Sequence, residues 1–247
     1  MTTSGKLDYG IDAPNVMRNL FFIGGACLLF AIFAPSPLTI GKIALGTRSF
    51  LWPGGILLAE AFLFLLYVKY GKFRHRDFML RMHAWRGDEN VLDVGCGRGL
   101  LLAGAAKRIA ALNGDGHVTG IDLWSNVDMG GNSAAATQHN LDLEGVSSYC
   151  SLVSQPAQDM PFPNNSFDVI LSNLCLHNIY DAPTRHLAIR QISRVLKPGG
   201  IALISDYKRT GEYFDELINN GLVVEKKRGS FFTTFPPLTV VIARKPM

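Results

Sequence analysis

The chain has 247 residues, 24 Lys plus Arg against 20 Asp plus Glu, and 48% of its residues are hydrophobic. That apolar content excludes an intrinsically disordered chain. Cys27, Cys96, Cys150 and Cys175 form no C-x-x-C and show no metal spacing, which excludes a disulfide-stapled secreted module and any metal site built on thiols. The surplus of four positive charges accompanies no zinc-finger, helix-turn-helix or RNA-binding signature, so no nucleic-acid partner is expected.

The apolar excess is concentrated near the N-terminus. LFFIGGACLLFAIFA at 20–34 is uncharged, and it extends back to Val16 if Arg18 is accepted near its end. LWPGGILLAEAFLFLLYV at 51–68 carries one acid, Glu60. A bilayer-crossing helix takes about 20 apolar residues, with a range of roughly 17–25. Both runs are short for that, but a Pro/Gly-rich stretch, APSPLTIGKIALGTRSF, joins them as a pair. The pattern predicts transmembrane helices over about 16–34 and 51–70, forming a hairpin within a membrane segment at 1–72. Other readings of the stretch are a cleaved signal peptide, a soluble helical cap over an active site, or shallow insertion.

Lys69, Lys72, Arg74 and Arg76 crowd the end of the second run, followed by Arg81 and Arg86, whereas the connection holds only Lys42 and Arg48. The positive-inside asymmetry puts both termini in the cytosol and predicts a two-span, multi-pass membrane protein. Lipid headgroups are then the partner of the basic cluster.

From 73 onward the pattern becomes α/β. VLDVGCGRG at 91–99 runs into the helix-forming LLLAGAAKRIAAL. A strand, a Gly-rich turn and a helix in that order let backbone N–H groups and a helix N-terminus face a ligand. Glycine is required where a Cβ would block the approach. HVTGIDLW at 117–124 reads as a second strand ending in Asp122, an acid placed to accept both hydroxyls of a ribose. SYCSLVSQ at 148–155 is a third strand, and QDMPFPNNSFDVILSNLCLHNI at 158–179 runs into a fourth. RQISRVLKPGGIALISDY at 190–207 reads as a helix, a Pro-Gly-Gly turn and a fifth strand. GEYFDELINNG is a helix closed by Gly, and LVVEKKR and LTVVIARKP form a terminal hairpin. In the connection between them Phe231, Phe232 and Phe235 face a substrate or pack on the membrane hairpin.

The D-x-G-x-G-x-G spacing at 93–99, Asp122, the PF…SFD stretch and RVLKPGG together resemble the class I S-adenosylmethionine-dependent methyltransferases, over roughly 73–247. Through IDLW…GNSAAAT…N and LHNI the chain is also similar to bacterial two-span methyltransferases of unassigned substrate. The resemblance implies an α/β fold: a Rossmann-like seven-stranded sheet with helices on both faces, preceded by the transmembrane hairpin. It implies S-adenosylmethionine as cofactor and no metal. Gly95, Cys96, Gly97 and Gly99 would line the methionine part, and Asp93 would hold either the loop or the cofactor's ammonium. Asp122 would bind the ribose, Leu123 with Trp124 the adenine face, and the backbone carbonyl of Asn173 the ammonium. One departure stands out: Pro156 occupies the place of the family's adenine-binding acid, leaving Asp159 beside Met160, or backbone groups of Ala157 and Gln158, to read the base.

Catalytic candidates follow from proton chemistry. His177 lies just past the fourth strand, and imidazole suits proton removal near neutral pH. Asp206 and Tyr207, after the fifth strand, are further candidates. The absence of an N/D-P-P-Y/F string argues against acceptors with planar nitrogen. The expected function is methyl transfer, by in-line displacement, to a lipophilic or membrane-resident acceptor. The alternatives are a small soluble acceptor with the hairpin as tether, and a non-catalytic cofactor-binding membrane module.

Overall fold

The structure is a computed structural model and describes residues 5–125, 130–229 and 234–247. Two helices lead the chain, α1 (Pro14–Phe33) and α2 (Leu51–Leu66). Their large apolar side chains face outward: Phe22 is 71% exposed, Phe33 78% and Trp52 79%. The face between the helices is built of small residues. A Cβ on Gly54 would stand 2.8 Å from Leu28 Cδ2 and 3.1 Å from the Gly24 carbonyl oxygen, and Ala31 and Ala61 are buried. Small residues that let backbones approach are how helices associate when the solvent itself is apolar.

The Pro/Gly-rich connection between α1 and α2 contains a two-stranded antiparallel ribbon, β1 (Leu38–Ile40) and β2 (Ile43–Leu45), turning at Gly41 with φ +61°. Three residues per strand are too few to leave a legible alternation. Thr47 beyond it is buried, and its hydroxyl donates to the Pro35 carbonyl at 3.3 Å.

The second helix does not end with the apolar run. A π-helical turn, Tyr67–Gly71, joins α2 to α3 (Lys72–Leu80), so that Thr47–Leu80 is one helix of 34 residues. Among the described residues two helices, this one and α1, are long and apolar enough, by length and composition, to cross a membrane. At the far end α3 changes environment. Met79 and Leu80 are fully buried in the core of the sheet, and His75 Nε2 lies 2.6 Å from Ser205 Oγ.

The sheet has seven strands: β3 (Asn90–Val94), β4 (His117–Asp122), β5 (Cys150–Ser154), β6 (Phe167–Asn173), β7 (Leu196–Asp206), β8 (Val223–Arg228) and β9 (Thr239–Arg244). Their spatial order is β5-β4-β3-β6-β7-β9-β8, and β9 runs antiparallel to both of its neighbours while the rest are parallel. Period-two alternation sends consecutive residues to opposite faces. Leu92, Ile170 and Ile204 join α6 (Ala182–Val195) and α7 (Thr210–Asn219) in one core. Val91, Val169 and Leu203 join α3, α4 (Leu100–Ala111) and α5 (Ala134–Glu144) in the other. Burial on both faces explains why the parallel strands read as nearly continuous apolar runs.

The Pro-Gly-Gly expected as a turn lies inside β7. Leu196 pairs with Phe167 and Ile201 with Val169, so the segment between is an irregularity of the ladder, with Gly199 at φ +76°. Phe231 and Phe232 lie outside the described residues. The strand order reverses between β3 and β6, and the crevice beyond the carboxyl ends of such strands is where open α/β sheets bind ligands.

Candidate active site

The turn after β3 is shaped by its glycines. Gly95, Gly97 and Gly99 all have positive φ, +71°, +51° and +85°. A Cβ on Gly95 would also collide with the side chain of Cys175, so the loop after β6 rests directly on this glycine. Neighbouring elements hold the turn by hydrogen bonds. Thr137 Oγ1 donates to the Gly97 carbonyl at 2.6 Å, Asn140 Nδ2 to the Arg98 carbonyl at 2.9 Å, and Ser172 Oγ to the Val94 carbonyl at 2.9 Å. Asp122, at the end of β4, accepts the Gly97 N–H at 2.8 Å and the Trp124 N–H at 2.6 Å. Two non-glycine residues adopt left-handed backbone at these strand ends, Trp124 at φ +58° and Leu174 at +54°. Such conformations cost about 1–3 kcal/mol each and gather at ligand sites.

A cavity of about 60 Å³ opens at the carboxyl ends of β3 and β6. The sheet side contributes Asp93, Gly95, Cys96, Gly97, Arg98 and Asn173. The other wall is Tyr9, Asp12, Tyr67 and Lys72, from the N-terminal arm and the π turn with the start of α3. Burial pushes the Asp93 carboxyl up to about 8; a hydrogen bond from the Leu102 backbone opposes this and the nearby Asp122 charge adds to it. Asp93 is therefore largely neutral at pH 7, and a cation beside it restores its charge.

Three buried polar atoms around this cavity have no hydrogen-bond partner: Asp93 Oδ2, Asn173 Oδ1 and Arg98 Nε. Leaving such a group unpaired costs about 1–3 kcal/mol. Two acceptors and a donor converging on one cavity complement an α-amino acid, whose ammonium suits Asp93 and Asn173. These residues fit the methionine end of S-adenosylmethionine.

A second cluster sits beside it. His177, on a short turn after β6, has Nδ1 2.9 Å from Asp206 Oδ1 at the end of β7. The buried Asp206 carboxyl also accepts the Tyr213 hydroxyl at 3.0 Å and the Tyr207 N–H at 2.8 Å. With a carboxyl that only accepts, His177 Nδ1 must carry the hydrogen, which leaves the lone pair on Nε2. The Tyr207 ring stands edge-on to the imidazole, with centroids 4.8 Å apart.

The sequence-derived residues therefore separate into groups. Asp93, Gly95, Cys96, Gly97 and Asn173 share one cavity, while His177, Asp206 and Tyr207 form one hydrogen-bonded unit. Gly99 caps α4 behind the cavity, and Asp122 braces its rim through Gly97. Leu123 is 64% exposed, and Trp124 donates its indole N–H to Ser154 Oγ at 2.7 Å. The pair read as an adenine contact falls away from the cavity: Asp159 is exposed in a turn, and Met160 is buried in the core with its carbonyl accepting from Arg194 Nη2 at 3.0 Å. Tyr9, Asp12, Tyr67, Lys72 and Arg98 were not foreseen. The Lys72 charge reads as juxtamembrane, and nothing in the pattern of Tyr9 or Asp12 points across the chain to Asp93. Among the described residues no group of three or more His, Cys, Asp or Glu is arranged to hold a metal ion.

Residues 92–204 match a methyltransferase domain family. The part of the chain that builds the sheet from β3 to β7 thus carries this methyltransferase domain. The chain is 31% identical over 164 residues to a demethylmenaquinone methyltransferase of Symbiobacterium thermophilum, covering 66% of this chain and 57% of that one. It is 32% identical over 140 residues to a sterol 24-C-methyltransferase of Gibberella zeae, covering 57% of this chain and 33% of the relative. The chain thus spans between a third and about three-fifths of the length of the curated relatives it matches. Among solved structures, a methyltransferase from Aquifex aeolicus aligns with TM-score 0.53 and 19% identity over 68% of this chain and 88% of that one. The [4+2]-cyclase SpnF aligns with TM-score 0.58 and 18% identity over 96% of this chain and 99% of its own. At such identities the likeness shows the fold, and the cyclase illustrates that one fold hosts different chemistry.

Proposed function

We propose that this chain transfers a methyl group from S-adenosylmethionine to a lipophilic or membrane-resident acceptor at the cytosolic face of a bilayer. The observation that carries this reading is the single helix Thr47–Leu80, apolar and outward-facing in its first half and part of the cofactor cavity through Tyr67 and Lys72. A soluble cap would bury its apolar face, yet only 11% and 22% of the two apolar windows is buried. The relatives named for demethylmenaquinone and for sterol favour a lipophilic acceptor as well.

In this reading 1–72 anchors the catalytic part, 73–247, through two spans. The N-terminal arm supports that topology, because it packs against the sheet domain. Tyr9 donates its hydroxyl to Glu144 at 2.7 Å, and Asp8 pairs with Arg98 at 2.7 Å. Both ends of the hairpin then lie on one side of the membrane, the side favoured by the basic residues after α2.

Bound S-adenosylmethionine supplies an electrophilic methyl group together with its own leaving group. The chain's task is to orient the acceptor and exclude water. His177 takes the acceptor's proton at Nε2, and Asp206 holds its ring through Nδ1. Asp93, Gly95, Cys96, Gly97 and Asn173 hold the amino-acid end of the cofactor, with Gly99 and Asp122 shaping the turn and Asp122 reaching the ribose.

The test is to incubate the full chain with methyl-labelled S-adenosylmethionine and, separately, fractionated membrane lipid or the soluble small-molecule fraction. Label in lipid supports the reading. Label confined to the soluble fraction makes the hairpin a tether, and cofactor binding without label anywhere makes the chain a non-catalytic module.

A further inference from the structure

The family match begins at residue 92, yet four residues before it wall the cofactor cavity. Lys72 is the most informative of them. Its side chain is buried, and its ammonium donates to the carbonyls of Tyr9 at 3.0 Å and Gly10 at 2.6 Å. An ammonium has three donors, so one remains for the cavity it lines. Across that cavity stands the unpartnered Arg98 Nε, the second buried donor. Asp12 also lines the space, and burial raises its carboxyl against the pull of Lys72. Asp8, the other carboxylate near Lys72, is engaged by Arg98 and by the Gly10 N–H at 2.8 Å.

We propose that Lys72, with Arg98 Nε, binds the α-carboxylate of the cofactor, and that the arm Asp8–Asp12 is a clasp that the same ammonium fastens over it. This rests on the proposed cofactor and extends its site into a part of the chain outside the family match. The ammonium end of the amino acid would be held by Asp93 and Asn173 and the carboxylate end by Lys72 and Arg98, which would give both charges of the zwitterion an opposite charge or a hydrogen-bond partner. The arm is fixed independently on its far side. Asn140 Oδ1 accepts the Asp8 N–H at 3.1 Å, its Nδ2 donates to the Asp8 carbonyl at 2.9 Å, and the Tyr9 ring packs edge-on to Phe73 at 5.8 Å. Because Lys72 continues the helix that carries the apolar hairpin, the anchor and the cofactor share one continuous element.

The experiment compares two ligands that differ only in this group: S-adenosylhomocysteine and its decarboxylated analogue, each titrated into the full chain in lipid nanodiscs. A charge-assisted contact predicts that wild type prefers the carboxylate-bearing ligand by about 10- to 100-fold. Lys72→Met should cut that preference at least fivefold by weakening S-adenosylhomocysteine alone, the remainder resting on Arg98, and Lys72→Arg should restore part of it. Hydrogen exchange of residues 8–12 in wild type provides a measurement independent of any variant, and S-adenosylhomocysteine should slow it more than the analogue does. Equal weakening of both ligands by Lys72→Met would make Lys72 a purely structural pin and overturn the proposal. So would a wild type that binds both ligands equally, or equal protection of the arm by either. Failure of wild type to bind either ligand would overturn the cofactor assignment itself.

Discussion

The hairpin and the sheet domain are built on opposite plans within one chain. In the sheet domain large apolar side chains point inward, as with Leu92, Ile170 and Leu203. In the hairpin the large side chains point outward and glycine and alanine fill the inside. A water-facing surface made of Phe22, Phe33 and Trp52 is an interaction site by its size alone. The difference teaches which substitutions each region tolerates: both interiors are closely packed, one by large side chains and the other by small ones, so added volume is resisted inside each.

Glycines give the largest expected effects. Gly95→Ala places a methyl against Cys175 at positive φ and should cost roughly 3–5 kcal/mol, with loss of cofactor binding. In the hairpin, Gly54→Leu should force α1 and α2 apart at a cost of roughly 1–3 kcal/mol, whereas Gly55→Leu, with nothing within 4 Å, should be neutral in lipid. Thermal unfolding in nanodiscs reads all three. A destabilising Gly55→Leu would mean that the outer face meets protein rather than lipid.

The next effect belongs to the domain alone. His177→Gln should lower turnover by about 100-fold or more while leaving cofactor affinity within about twofold, since the ring touches Asp206 and Tyr207 rather than the cofactor cavity. Asp206→Asn should cost turnover as well, by releasing the ring. Unchanged turnover in both variants would remove a general base from the mechanism. For binding, Asp122→Ala should weaken the cofactor by about 1.5–3 kcal/mol, through the Gly97 N–H it leaves unpaired as well as the ribose contact, and calorimetry on the folded variant checks it.

The smallest effect is the pH dependence of binding. Asp93 is neutral below about pH 8 in the free chain, and the cationic cofactor favours its ionised form. Affinity should therefore rise as pH increases, by about fivefold between pH 7 and 8, then level off, with a proton released on binding. The raised carboxyl also makes the cofactor-free fold less stable as pH climbs from about 4 to 8, because the unfolded chain loses its proton first. Calorimetry in buffers of different ionisation enthalpy detects the proton, and Asp93→Asn should flatten the profile. A flat wild-type profile would show that Asp93 is already ionised.

The two regions were unequally legible in the sequence. Runs such as VILS and IALIS, together with the glycine turn, specify buried parallel strands because a two-sided sheet leaves few alternatives. The hairpin was visible through composition. Hidden features were those set by contacts between distant segments. Pro156 takes the place of the expected adenine acid, and the exposure of Asp159, in a turn closed on the Pro156 carbonyl, is not visible in local spacing. Lys72 carries the same charge whether it meets a headgroup or a cavity, and only the π turn at Tyr67–Gly71 decides its direction. His177 and Asp206 are 29 residues apart, and their pairing needs β6 and β7 side by side.

The central claim is that the continuous helix Thr47–Leu80 confines the catalytic part to the bilayer from which it takes its acceptor. The direct measurement reconstitutes the full chain in vesicles of its own membrane lipid and supplies methyl-labelled S-adenosylmethionine. Acceptor lipid is placed either in the same vesicles or only in a second, protein-free population. The account predicts labelling of lipid in the vesicles that hold the protein and little in the others. Equal labelling of both populations would contradict it.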